Sequence, residues 1–257
     1  MTDMAAILLR WLRPFVFPAV LISAFEFYTR RVAVHSDTLA PPSNALLAFI
    51  DALFSGDILS ATGFTLMSAG IGLALAFVAG AALGIVLGLS PRAARMSFFS
   101  IEVFRPIPSV ALIPLAMLIF GFGVSMEVSV VAFATFWPIL ILTQAAARQV
   151  EPILLEVSQA LQLSYFQQVW KITLPSMLPR LFVALRQGVA IALVVAVTVE
   201  IVANPHGMGY AIMIAQQSME PALMLAWLFW IGIVGYLINE LALLLQRRMA
   251  RRMGGRP

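Results

Sequence analysis

Apolar residues run through this chain in long blocks, set apart by short clusters of charge and proline. The uncharged stretch from Ile58 to Pro91 is longer than one membrane crossing, which takes about 20 apolar residues, and its membrane part is predicted at 62–89. Two further runs, 106–126 and 128–147, are separated by a predicted turn at Gly121-Phe122-Gly123. After a more polar interval come runs at 181–203 and 221–245. A shorter run, 14–28, contains Glu26 and follows Arg10 and Arg13, as the apolar core of a secretory signal would. No small-residue cleavage site follows it, so the pattern predicts a retained anchor helix. Together these runs predict six transmembrane helices.

Composition agrees with that pattern and narrows the chemistry. Of 257 residues, 61% are hydrophobic and 11% charged, with a mean hydropathy of +0.97. A soluble domain carries about 25% charged residues, and half that supply does not cover a water-facing surface. A soluble enzyme, a nucleic-acid module and a disordered scaffold are all excluded, and lipid is the expected surrounding. The chain has no cysteine, which removes disulfides, thiolate metal sites and cysteine nucleophiles. Its two histidines, His35 and His206, lie far apart with no ligand spacing around them, so no metal site is predicted. No G-x-x-x-x-G-K-[ST] phosphate loop occurs either, so no cofactor is expected in this chain.

The net charge of +4 matters less than its placement. Arg10, Arg13, Arg92, Arg95, Arg105, Arg148, Lys171, Arg180, Arg186, Arg247, Arg248, Arg251, Arg252 and Arg256 fall on one predicted side, and only Arg30 and Arg31 on the other. That asymmetry of 14 against 2 predicts cytoplasmic N- and C-termini and an outward-facing loop at 204–220.

Three features go beyond hydropathy. Gly72, Ala76, Gly80, Gly84 and Gly88 recur every four residues and form one small-residue stripe on the second span. Such a stripe lets another helix approach closely, in a bundle or a dimer, although glycine and alanine are also simply common in membrane helices. In the polar interval, Pro152 suits a first helical turn, and Ile153, Leu154, Val157, Ala160 and Leu161 repeat at helical spacing. Ser164 with Gln167 reads as a capping box opening a second short helix, which Leu174-Pro175 and Pro179 are expected to end. Periodicity alone leaves a docking element and a pair of interfacial helices on lipid equally open. Finally, Pro106, Pro108 and Pro114 break helix regularity in the third span. Irregular backbone there either lines a pathway, with Ser109 on it, or reflects ordinary kinking.

A family resemblance separates the readings of the polar interval. Glu156-Val-Ser-Gln-Ala-Leu-Gln-Leu-Ser164, continuing to Ile172-Thr-Leu-Pro175-Ser-Met-Leu-Pro179, resembles the EAA loop of ABC-importer permeases. Phe104-Arg-Pro-Ile-Pro-Ser-Val-Ala-Leu-Ile-Pro114 through Phe120-Gly-Phe-Gly123 is similar to the R-P-I-P segment of the nitrate/sulfonate/taurine branch. Leu39-Ala-Pro-Pro-Ser43 resembles that branch's pre-core loop, and Gly207-Met-Gly209-Tyr210 its G-L-G-Y. The resemblance covers about 39–245 and implies an all-α integral membrane fold with six spans, the type I permease fold. It divides the chain into an anchor helix and outer loop at 1–57, a permease core at 58–245 with a coupling loop at 150–180, and a basic tail at 246–257.

The resemblance also assigns roles. Glu156, Val157, Ser158, Leu161, Gln162, Ser164, Ile172, Leu174 and Pro175 are implied to couple the chain to a cytoplasmic ATPase dimer, which holds the ATP and magnesium. The remaining implied partners are a second permease, either another copy or a related chain, and an extracytoplasmic solute-binding protein. The cargo implied is a small organic anion such as a sulfonate or taurine, or nitrate. Glu200, Gly207 and Gly209 are implied at the translocation path or its outer gate, whereas Glu200 read by itself is equally a hydrogen-bonded structural group. Arg186 is expected to extend to the cytoplasmic interface, and Glu240 to pair with the basic tail. The chain departs from the motif at Val157 and Ser158, which replace two alanines, and at Gln162, which replaces a glycine where a left-handed turn is expected. Gln in that conformation costs about 1–2 kcal/mol. The alternative of an ion-coupled secondary transporter predicts an internal repeat with interrupted spans in both halves, and none is visible. An intramembrane enzyme lacks any catalytic cluster.

Overall fold

The computed structural model describes residues 2–32 and 39–252, with side chains from 16 onward except those of 155 and 250–252. His35 and the end of the basic tail lie outside the described residues. Among the described residues there are helices and no strands. They are α1 (Thr2–Arg31), α2 (Pro42–Phe54), α3 (Asp57–Leu89), α4 (Pro91–Phe104), α5 (Ile113–Phe120), α6 (Val124–Arg148), α7 (Pro152–Ala160), α8 (Tyr165–Gln168), α9 (Leu174–Val202), α10 (Met208–Gln217) and α11 (Pro221–Arg252).

Four helical stretches are long and apolar enough to cross a membrane: α3, α6, the continuous helix Tyr165–Val202 and α11. A fifth span exists only if α4 and the Ser109–Phe120 segment are taken together, and that pair is bent by 81° at the break between them. The described helices therefore support up to five spans where hydropathy predicts six. The predicted run at 14–28 lies inside α1, whose apolar stretch is diluted by Glu26, Arg30 and Arg31.

The differences have physical causes. The third span does not begin at Pro106: α4 starts at Pro91 behind its Ser90 N-cap, and the helix breaks where Pro106 and Pro108 remove backbone donors. Arg105, counted with the charge before the third span, thus sits at the break itself. Neither Pro175 nor Pro179 ends a helix. Pro175 falls just after a π turn, Val169–Thr173, that joins α8 to α9 in one continuous helix, the Leu174 N–H bonding the Val169 carbonyl. Pro179 is carried inside α9. The outer loop expected within 1–57 and the loop predicted at 204–220 each hold a helix, α2 and α10.

The chain forms two compact units, Met1–Ser60 with Ala211–Ile231 and Ala61–Tyr210 with Gly232–Pro257. In the first unit, Glu26 of α1 pairs with Arg30 and accepts from the Ser43 backbone N–H at 3.0 Å and the Ser43 hydroxyl at 2.7 Å. Arg30 in turn donates to the Ser43 oxygen at 2.8 Å, so the acid that interrupts the first apolar run anchors the start of α2. In the second unit, Ala69, Ile113, Met126, Val130, Val131, Ala196 and Val199 make a core between α3, α5, α6 and α9. The small-residue stripe lies against α6 of the same chain. A Cβ added to Gly72 would come within 2.7 Å of Val131 Cγ1, one on Gly84 within 2.7 Å of the Leu140 carbonyl oxygen, and one on Gly88 would overlap Ala147. Gly80 faces Ile139 and Phe136 in the same way, at 3.1 Å. The stripe is thus a close-approach face within one chain.

Candidate functional site

The second unit carries chemistry at three places. The first lies where α3 and α6 begin and α9 ends. Glu127, Glu200, Thr65 and Ser68 are fully buried there, and Asn204 is 1% exposed. Ser68 Oγ donates to Glu127 Oε1, and the Asn204 amide donates to Glu127 Oε2. The Glu200 carboxyl lies against Glu127 and Thr65, and its Oε2 accepts from the Gly209 backbone N–H at 2.8 Å. The Met208 N–H donates to Thr65 Oγ1 at 3.0 Å. The first-turn N–H groups of α10, which no helix satisfies internally, are therefore held by α3 and α9.

Gly207 adopts φ +92°, and a Cβ there would overlap the Glu200 carboxyl. At Gly209 a Cβ would overlap the Val197 carbonyl oxygen. Both glycines of the Gly207-Met-Gly209 motif are thus required by close approach to α9. The cluster ties α3, α6, α9 and the 204–209 turn into one hydrogen-bonded block. The structure brings Glu200, Gly207 and Gly209 together. Glu127, Ser68, Thr65 and Asn204 were missed, and Glu127 had a signal: it is the single charge between two apolar runs, where it reads as a separator of spans and not as an ionisable residue inside one. His206, in the same turn, stacks on Phe64 with ring centroids 5.0 Å apart.

Ser109 is elsewhere. It lines a cavity at the α4–α5 break, together with Arg105 and residues of α6 and α9. Arg186 does not extend freely to an interface: its Nε donates to Asn239 Oδ1 at 3.1 Å, a bond from α9 to α11. Among the described residues no ion pair joins Glu240 to Arg247 or Arg248.

The third place is the polar segment after α6. Pro152 occupies the first turn of α7, and Ser164 and Gln167 form the capping box of α8, with bonds of 3.4 and 3.1 Å. Between them Gln162 takes φ +50°, the left-handed conformation expected where the motif has glycine. The Leu163 N–H bonds the Ser158 carbonyl at 3.0 Å and the Gln162 N–H bonds the Gln159 carbonyl at 2.9 Å, which closes α7 in a Schellman turn. Leu154 and Leu174 pack inward on Ala147, Val150, Met177 and Leu181, and Ser158 and Thr173 are buried. Ile153, Val157, Leu161, Tyr165, Phe166 and Trp170 remain exposed, Phe166 at 70%. Glu156 is also exposed, whereas Ile172 lies within the π turn and Pro175 just after it, at the start of α9.

The chain is similar over 94% of its length to a Bacillus subtilis (strain 168) permease protein named for aliphatic sulfonates transport, with 28% identity and 87% of that protein covered. It is 29% identical to the taurine transport system permease of Escherichia coli (strain K12), over 66% of this chain and 62% of that one. Its fold matches an inward-facing methionine ABC transporter structure at a TM-score of 0.68 and 20% identity, over 76% of this chain and 97% of the other. Residues 76–255 match the family described as the binding-protein-dependent transport system inner membrane component. That family is one of importers, and nothing favours the ion-coupled alternative. The chain belongs to this family, and it is a multi-pass inner-membrane permease of an ABC importer.

Proposed function

We propose that this permease passes a small organic anion, such as an aliphatic sulfonate or taurine, with nitrate as the inorganic counterpart. Cargo reaches it from an extracytoplasmic solute-binding protein, and the energy comes from a separate ATPase dimer that holds ATP and magnesium. Two permeases, this chain with a copy of itself or with a related chain, form the pathway in the lipid bilayer, with both termini cytoplasmic as the 14-to-2 charge asymmetry supports. Glu200, Gly207 and Gly209 belong to the outer gate, where α10 is clamped to α3 and α9.

The observation that carries this reading is the α7–α8 segment. Its inner side is packed and its turn is closed by hydrogen bonds, yet it presents an apolar stripe from Ile153 to Trp170. Exposed apolar patches of that kind mark interaction sites. Seated in a cleft of the ATPase, α7 and α8 transmit closure of the ATPase dimer directly into α9, because the helix is continuous from Tyr165 to Val202. The absence of cysteine gives a clean test. A Phe166→Cys protein, isolated from native membranes and treated with a cysteine cross-linker, is expected to bond to a nucleotide-binding subunit. No bond from Phe166→Cys or Leu161→Cys in the isolated assembly would overturn the coupling role.

A further inference from the structure

The buried cluster where α3 and α6 begin and α9 ends is short of hydrogen-bond donors. Glu127 accepts from Ser68 on one oxygen and from the Asn204 amide on the other, and Glu200 Oε2 accepts from the Gly209 N–H at 2.8 Å. Glu200 Oε1 and Asn204 Oδ1 are left buried with no partner, on residues 0% and 1% exposed. Both orphans are acceptors when Glu200 is ionised, although buried polar atoms are nearly always paired. What the cluster lacks is a hydrogen to donate.

It also lacks a positive charge. The Glu200 carboxyl lies against Glu127, and two carboxylates in contact away from water repel each other strongly unless a cation stands between them. From Thr65 to its end α3 has no Lys or Arg, and neither have α5 and α10. The basic residue of α6 is Arg148, 21 positions after Glu127, and those of α9 are Arg180 and Arg186, 20 and 14 positions before Glu200. Along a helix these lie about 20 Å or more away. Of the other titratable side chains on these elements, Asp57 is exposed and accepts from Ser55, His206 stacks on Phe64, and Tyr210 brings only a neutral phenol. A Cβ on Gly207 would overlap Glu200 Oε1, so the 204–209 turn closes directly on the orphan oxygen and leaves no room there for a metal ion with its ligand shell. The cation that fits is a proton.

We propose that Glu127 and Glu200 hold one proton between them, carried on Glu200 Oε1, and that this proton makes the attachment of α10 dependent on pH. Protonation turns Glu200 Oε1 from an acceptor without a partner into a donor, beside a carboxylate whose oxygens each still have a lone pair free. It also leaves the pair with a single negative charge. As pH rises the proton passes to water, both carboxyls are charged, and moving Glu200 away from Glu127 relieves their repulsion. Glu200 holds the Gly209 N–H and lies against Thr65, which holds the Met208 N–H, so the first turn of α10 is loosened with it. The clamp is therefore held on the acid side and released on the alkaline side. As a property of the clamp this stands alone; as regulation of the outer gate it rests on the reading given above.

The test uses the full-length permease in lipid nanodiscs, with any subunit that co-purifies, and has two readouts. Infrared difference spectra across a pH change detect a protonated carboxyl by a C=O stretch that carboxylates lack and that shifts in D2O. Such a band is expected in the unaltered chain, lost on alkalinisation and absent from Glu200→Gln, whose amide keeps a donor without titrating. Hydrogen exchange at the Met208 and Gly209 amides, corrected for the pH dependence of the intrinsic rate, is the second readout. The unaltered chain is expected to lose at least about tenfold in protection over the same rise in pH, and Glu200→Gln to stay flat. His206→Phe keeps a ring on Phe64 and keeps the pH dependence. The shared proton is overturned by any of five results: no protonated-carboxyl band in the unaltered chain, a band retained in Glu200→Gln, flat protection in the unaltered chain, a pH dependence lost in His206→Phe, or protection that requires Na⁺, K⁺ or Ca²⁺. Spectra and exchange of the unaltered chain decide the matter if a variant fails to fold. Transport that ignores pH while the clamp titrates would count against the gate reading and leave the proton in place.

Discussion

The two ends of the second unit solve opposite problems. At the Glu127–Glu200 end, polar groups are buried and the apolar helices close around them. At the α7–α8 end, apolar groups are exposed while the backbone turns are hydrogen-bonded among themselves. In the first arrangement Glu127 has its donors and the first N–H groups of α10 their acceptors within the chain, while Glu200 Oε1 and Asn204 Oδ1 are buried without a partner. The second is incomplete, since Leu161 and Phe166 stay mostly exposed, Phe166 in ring contact with Trp170 of the same stripe. A cluster bonded across three helices holds them in register, whereas an exposed apolar stripe invites a partner. On the proposed reading, the contrast lets one permease be rigid at its outer gate and available where an ATPase docks.

The comparison is broken most directly at Glu127. Glu127→Ala leaves the Asn204 amide buried without an acceptor and strips Ser68 of one of its three, the others being the Phe64 and Thr65 carbonyls. An orphaned buried donor costs about 1–3 kcal/mol, and the cavity left by the side chain adds to that, so a loss of about 2–4 kcal/mol is expected in denaturant unfolding in detergent. A loss below about 0.5 kcal/mol, the ordinary surface value, would mean that the cluster is not what holds this end.

How legible each end was in the sequence follows the same division. The α7–α8 segment is built from near neighbours: Pro152 in a first turn, Ser164 capped by Gln167, and Gln162 at a turn whose partners lie within five positions. Local chemistry of that range is written in a short string of residues. The buried cluster joins positions 59, 77 and 143 apart, and no local pattern announces such pairings. Glu200 was legible through the Gly207-Met-Gly209 motif beside it, but Glu127 read as punctuation between apolar runs. The proline rule held at Pro106 and Pro108, which break the chain between α4 and α5, and failed at Pro175, which follows the π turn Val169–Thr173 inside a continuous helix.

A smaller effect, of opposite sign, is expected at Gln162. Its φ of +50° is the conformation that glycine adopts freely. Gln162→Gly is expected to stabilise the folded chain by about 1 kcal/mol, because the strain relieved exceeds the extra chain entropy. The β-branched Gln162→Val is expected to lose stability by a similar amount. Denaturant midpoints of the two variants check this, and a destabilised Gln162→Gly would show that the Gln162 side chain contributes contacts to the turn that outweigh its backbone cost.

The smallest effect on stability carries the most information about the stripe. Phe166 is 70% exposed on the four-residue helix α8, whose cap is made by Ser164 and Gln167 and not by Phe166. Phe166→Ala is therefore expected to change unfolding by no more than about 0.5 kcal/mol. Ser164→Ala at the neighbouring cap is expected to cost about 1 kcal/mol. If the stripe docks a partner, the order reverses when ATPase co-purification is measured instead: Phe166→Ala loses most of the captured subunit, and Ser164→Ala loses part of it. A permease that kept its ATPase after Phe166→Ala and Leu161→Ala together would make the exposed apolar face an interfacial surface on lipid. The contrast between the two ends would then be one of burial alone, because a stripe satisfied by lipid asks for no partner.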